Sequence, residues 1–70
     1  MPVHELDVVA LTCDVPSDGL TRGQVGTVVH VHSPEAFEVE FVDNDGRTYA
    51  LTTLRADQVL RLQFTPAEAA

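Results

Sequence analysis

His30 and His32 lie two residues apart in an extended run. On a regular strand both imidazoles leave one face, where they could hold zinc, copper or nickel. His4 could add a third ligand, although nothing in the spacing brings it near, and two histidines at a strand end equally describe a solvated surface. Cys13 is the single thiol; a neighbouring imidazole could serve it as a base, but no nucleophile elbow, helix N-terminus or third orienting group accompanies it. The plainer reading is a small half-buried apolar residue. Glu38 and Glu40 share the outward face of an alternating run, and Asp43 and Asp45 sit in the turn beyond. Paired carboxylates divide acid and base roles only where a cleft drives their pKa values apart, and an open strand offers none. Asp43-Asn44-Asp45-Gly46 has half the pattern of a calcium loop without its bidentate glutamate, so it reads as a reverse turn. The expectation is therefore a chain with no catalytic residue, cofactor or metal, His30 and His32 standing as the weaker alternative.

The elements that would carry these residues are short and extended. Residues 6–12 form a first apolar, β-branched run. Residues 13–24, with Pro16, Gly19 and Gly23, form a long loop held by Leu20 as an apolar anchor. In Arg22-Gly23-Gln24-Val25-Gly26-Thr27-Val28-Val29 two glycines flank a Gln-Val pair; glycine permits a positive φ or a close backbone approach, so the spacing predicts a tight turn feeding a bent strand. The second strand, 25–32, carries valine on both faces, so a bulge or a strong coil is expected in it. After Ser33-Pro34-Glu35, residues 36–43 alternate with Phe37, Val39 and Phe41 inward against Glu38 and Glu40. A strand over 47–53 returns antiparallel and is expected to offer Tyr49 and Leu51 to the phenylalanines, with Arg47 opposite the acidic strand. Residues 54–58 read as one 3₁₀ turn and 59–63 as a last strand. The fold class is all-β: a small five-stranded SH3-like barrel over residues 1–64, with one short 3₁₀ turn before the last strand and a flexible tail over 65–70. An OB-type barrel is disfavoured because the turn at 43–46 leaves no space for its helix.

Composition narrows the function. Four arginines, no lysine and eleven acids give a net charge of −7 over 70 residues. Four scattered arginines build no phosphate-binding face, which argues against DNA or RNA as a partner. An acidic surface confers solubility, and it also attracts a basic partner. One cysteine forms no internal disulfide and points to a reducing, cytoplasmic setting. No signal-peptide pattern and no run of about 20 apolar residues is visible, so no membrane role is expected. A domain of this size buries only about 60% of its unfolded surface, leaving little room for a deep cleft.

The chain resembles DUF4926, a family of small bacterial domains of unknown function. The likeness runs through Glu5-Leu6-Asp7-Val8-Val9-Ala10-Leu11, Gly19-Leu20, Gly23-Gln24-Val25-Gly26-Thr27-Val28-Val29, Phe37-Glu38-Val39-Glu40-Phe41-Val42-Asp43 and Gly46-Arg47-Thr48-Tyr49-Ala50-Leu51. It covers residues 5–62 and implies an SH3-like barrel, with no activity and no site residue to carry over. Residues 23–29 are also loosely similar to the KOW motif of ribosomal and transcription-elongation proteins, where it sits beside basic surfaces that this chain lacks.

These features together predict a non-enzymatic protein-binding module whose acidic face, made of Asp14, Asp18, Glu38, Glu40, Asp43 and Asp45, docks a basic protein. An antitoxin or immunity-type protein neutralising a cationic partner encoded nearby is one concrete form. The alternative is an accessory subunit packing on a larger enzyme through an apolar patch.

Overall fold

The computed structural model describes residues 2–66 of the chain and is all-β. Its strands are β1 (Val8–Leu11), β2 (Val25–Ser33), β3 (Ala36–Val42), β4 (Thr48–Arg55) and β5 (Val59–Arg61). They form one antiparallel sheet in the order β4-β3-β2-β1-β5. The 3₁₀ turn expected over 54–58 is confined to Ala56–Gln58 and leads into β5, because Leu54 and Arg55 extend β4. A second 3₁₀ turn, Pro16–Asp18, lies in the first loop, where the sequence pattern announces none; Gly19 ends it at φ 68°. Among the described residues no ladder joins β4 to β5, which are the two ends of this order. β5 is only three residues long and is committed to β1. Of the expected tail, residues 67–70 lie outside the described residues.

β2 is the strand that turns the sheet. Val25 to Thr27 pair with β1, and Thr27 to Ser33 pair with β3. Gly26 sits where the two ladders meet: a Cβ there would lie 2.7 Å from Val39 Cγ1, 2.9 Å from the Glu40 carbonyl oxygen and 3.0 Å from Phe41 Cε2. Only glycine lets the bent strand come this close to β3. Gly23 supplies the positive φ, 92°, of the preceding turn.

The expected bulge in β2 is present twice, between Val28 and His30 and between Val31 and Ser33. The first extra residue lets both Val28 and Val31, three apart, face the core. That core comprises Val9, Leu11, Leu20, Val28, Phe37, Val39, Phe41 and Leu54. Leu20 is 1% exposed, so the first loop is anchored as predicted.

Two expectations fail. Leu6 does not begin β1; its φ is 71° and its side chain is 78% exposed. In β4 it is Ala50, Thr52 and Leu54 that stand opposite Phe41, Val39 and Phe37, whereas Leu51 is 59% exposed opposite Glu40. The register opens as Val42 opposite Thr48, which would have turned Tyr49 and Leu51 inward, but an extra residue at Tyr49 shifts it to Phe41 opposite Ala50. One added residue sends every later side chain to the other face. Tyr49, at the irregularity, is half exposed, with its ring centroid 6.1 Å from that of Phe41.

Candidate functional site

Residues directly opposite in an antiparallel ladder share a face. Thr27, Glu40 and Leu51 therefore form one row across the outer side of β2, β3 and β4, and His30, Glu38 and Thr53 the next. Glu38 Oε1 accepts from Thr53 Oγ1 at 3.0 Å and from His32 Nε2 at 3.1 Å. A carboxylate only accepts, so His32 carries its proton on Nε2 in this contact. The hydrogen bond from His32 comes first and that from Thr53 second in holding the Glu38 carboxyl below the ordinary carboxylate range. Glu40 Oε2 accepts from Thr48 Oγ1 at 2.6 Å. Threonines of β4 thus fix both glutamates on the outer face.

The other four predicted acids are not gathered on that face. Asp14 Oδ1 accepts the Arg22 backbone N–H at 2.8 Å and closes the first loop. Asp18 Oδ2 accepts from Thr52 Oγ1 at 2.9 Å. Thr52 stands opposite the buried Val39, so this contact lies on the core side of the sheet, away from Glu38 and Glu40. Asp43 Oδ1 accepts the backbone N–H of both Asp45 and Arg47 at 2.9 Å, which makes it the organiser of the hairpin loop. Asp45 is exposed beside it. The single acidic face expected from sequence is therefore split: Glu38 and Glu40 on the outer sheet, Asp43 and Asp45 in the loop after β3, and Asp14 and Asp18 on the first loop.

Arg47 does not pair with the acidic strand. β4 starts one residue later, and the Thr48 hydroxyl takes the place beside Glu40. The described ion pairs are Arg55 with Asp57, Arg61 with Asp7, and His32 with Glu38. The Arg61–Asp7 pair, 3.0 Å and partly buried, escaped sequence reasoning; an aspartate interrupting an apolar run was its only signal. A hydrogen bond from the His4 backbone N–H, 2.8 Å, followed by the Arg61 guanidinium, lowers the Asp7 pKa against the opposing effect of burial.

His30 and His32 come together as expected, with ring centroids 4.7 Å apart in an edge-to-face contact. Among the described residues no three His, Cys, Asp or Glu side chains are arranged to hold a metal ion. Cys13 is a half-buried free thiol. One cleft, about 430 Å³, opens between Val3, Pro34, Phe37, Val59 and Arg61, and another, about 480 Å³, between Leu6, Asp7, Leu62 and Phe64. Neither includes Glu38, Glu40 or a histidine.

The profile of a family described as a domain of unknown function, DUF4926, matches residues 5–61. The chain belongs to this family. The DUF4926 match takes in all five strands, both glutamates of the outer face and the first loop. No curated protein and no solved structure matches the chain. Among the described residues of this DUF4926 domain, no helix is long and apolar enough to cross a membrane.

Proposed function

We propose that this domain is a non-enzymatic binding module whose outer sheet face docks a basic protein surface. The observation that supports this most is the pair Glu38 and Glu40, side by side on β3 and hydrogen-bonded to β4 threonines without neutralisation by any arginine among the described residues. Fixing a glutamate in place removes rotamer freedom that a docking cation would otherwise have to freeze, up to about 2 kcal/mol per side chain. Val42 and Leu51, both exposed beside the acids, would give such a contact an apolar component. Neutralisation of a cationic toxin encoded nearby is the concrete form we favour. A reducing cytoplasmic setting fits the lone Cys13.

A second reading, an accessory subunit docking through an apolar patch, draws support from Leu6 and Phe64, which flank one cleft at 78% and 76% exposure. Salt separates the two, because a charge-driven contact weakens as ionic strength rises and an apolar one does not. The test is co-expression with each neighbouring gene product, then affinity measured at low and high salt for the native chain and for Glu38→Lys/Glu40→Lys. Loss of binding in the folded variant, together with salt sensitivity, supports the acidic face. Unchanged binding by the variant refutes it.

A further inference from the structure

On a regular strand, residues two apart are separated by about 6–7 Å and their side chains stand roughly parallel. The rings of His30 and His32 are closer than that, with 4.7 Å between centroids. The second bulge of β2 accounts for the difference. Val31 stands opposite Phe37 and Ser33 opposite Ala36, so His32 is the extra residue between them, and a bulge re-aims the side chain it carries. His32 thereby leans over the row in which His30 faces Glu38, and Glu38 Oε1 accepts from its Nε2 at 3.1 Å. That bond selects a tautomer: a neutral imidazole with its proton on Nε2 keeps its lone pair on Nδ1, the nitrogen left to bind a metal ion. Thr53 Oγ1 holds the same carboxylate oxygen at 3.0 Å. A metal-ligating histidine donates its second N–H to a carboxylate in this manner, which orients the ring and makes it a better donor.

We propose that His30 and His32 form a two-imidazole site for a divalent transition-metal ion such as zinc, with His32 binding through Nδ1 and Glu38 acting as its positioning residue. Two imidazoles sharing one ion at about 2.0–2.1 Å have ring centroids roughly 4.5–5 Å apart, and the pair already stands at that separation. Both histidines are exposed, so their edge-to-face contact opens by rotation about χ1 and χ2 without disturbing the core. No third protein ligand is arranged beside them among the described residues, so water completes the coordination and the site is open and weak. The net charge of −7 favours a cation over an anion at this face. The site does not depend on the docking of a basic protein.

Zinc titrated into the untagged full chain, followed by calorimetry and by long-range proton–nitrogen NMR of the imidazoles, tests the proposal. The expected result is one ion per chain with Kd roughly 10–100 μM, and coordination shifts at His30 and at Nδ1 of His32. His30→Ala and His32→Ala each weaken binding at least tenfold, whereas His4→Ala leaves it unchanged. Glu38→Ala weakens it about tenfold, and Glu38→Gln, which keeps an acceptor for Nε2–H, recovers part of that loss. No saturable binding up to about 1 mM zinc, an affinity indifferent to either histidine of the pair, or loss of binding in His4→Ala would overturn the site. A coordination shift at Nε2 of His32 in place of Nδ1, or a Glu38→Gln chain no better than Glu38→Ala, would overturn the positioning role of Glu38.

Discussion

Replacing Gly26 with alanine is the sharpest test of how this sheet bends. Its backbone is not in the left-handed region, so alanine introduces no torsional strain and its cost is one of space alone. The new Cβ would meet Val39 Cγ1 at 2.7 Å, the Glu40 carbonyl oxygen at 2.9 Å and Phe41 Cε2 at 3.0 Å. The Glu40 carbonyl belongs to the β2–β3 ladder, and Val39 and Phe41 are both fully buried, so none of the three can give way freely. Overpacking of this kind costs about 1–3 kcal/mol, and the backbone contact puts Gly26→Ala toward the upper end. A chain of this length has only about 3–10 kcal/mol of stability in total. At about 4–8 °C per kcal/mol, the melting temperature should fall by roughly 10–20 °C. Urea and thermal unfolding followed by circular dichroism measure this, with Gly23→Ala as the comparison. Gly23 has φ 92° and a Cβ added there would meet nothing within 4 Å, so its cost of about 1–2 kcal/mol is purely conformational. In a double-mutant cycle the Gly26→Ala, Val39→Ala pair should cost less than the sum of the two single variants, whereas Gly23→Ala and Val39→Ala should add. A Gly26→Ala protein within about 0.5 kcal/mol of the native chain would refute the close-approach explanation of the bend.

Asp43→Ala should cost about 1–2 kcal/mol, since one carboxylate oxygen accepts two backbone N–H groups of the hairpin loop, whereas Asp45→Ala should be nearly neutral; urea titration of both variants checks the contrast. Asp7 and Glu38 both have folded pKa values below their ordinary ones, so the stability they contribute is complete above about pH 4–5 and is lost as pH falls through their lowered values. Asp7→Asn should flatten the acid limb of a stability-versus-pH curve measured between about pH 2 and 6, and an unchanged limb would remove Asp7 from the account.

The parts of the fold that are legible in sequence are those where local pattern and tertiary demand agree. Phe37, Val39 and Phe41 alternate without interruption, and β3 is the central strand of the β2–β3–β4 half of the sheet, so nothing competes with the pattern. Leu20 stands out because one leucine among polar loop residues has few roles other than anchoring. The inward face of β4 is hidden because Thr48 to Arg55 alternates weakly and the bulge at Tyr49 is not encoded by a glycine or proline. One residue reverses Leu51 and Leu54, and with them the composition of the outer face. The site is less legible for a related reason. Asp18 and Glu38 both bond to consecutive threonines, Thr52 and Thr53, yet consecutive strand residues point to opposite sides of a sheet. Spacing in sequence can count the acids but cannot say which of them share a surface.

That division also changes what the negative charge of the chain means. A carboxylate that accepts backbone N–H groups, as Asp14 and Asp43 do, is occupied in holding a loop, and a cation approaching it competes with that loop's own geometry. Glu38 and Glu40 instead accept from side-chain hydroxyls on the neighbouring strand, so each carboxylate can keep its threonine bond and still offer lone pairs to a partner. His32 adds a condition. While Glu38 accepts from it, the face is partly screened, and protonation of the imidazole would set a positive charge directly against the carboxylate. Under the docking proposed above, an arginine or lysine would have to share Glu38 with that histidine but not Glu40, so Glu40, opposite the exposed Leu51, would be the more open of the two carboxylates.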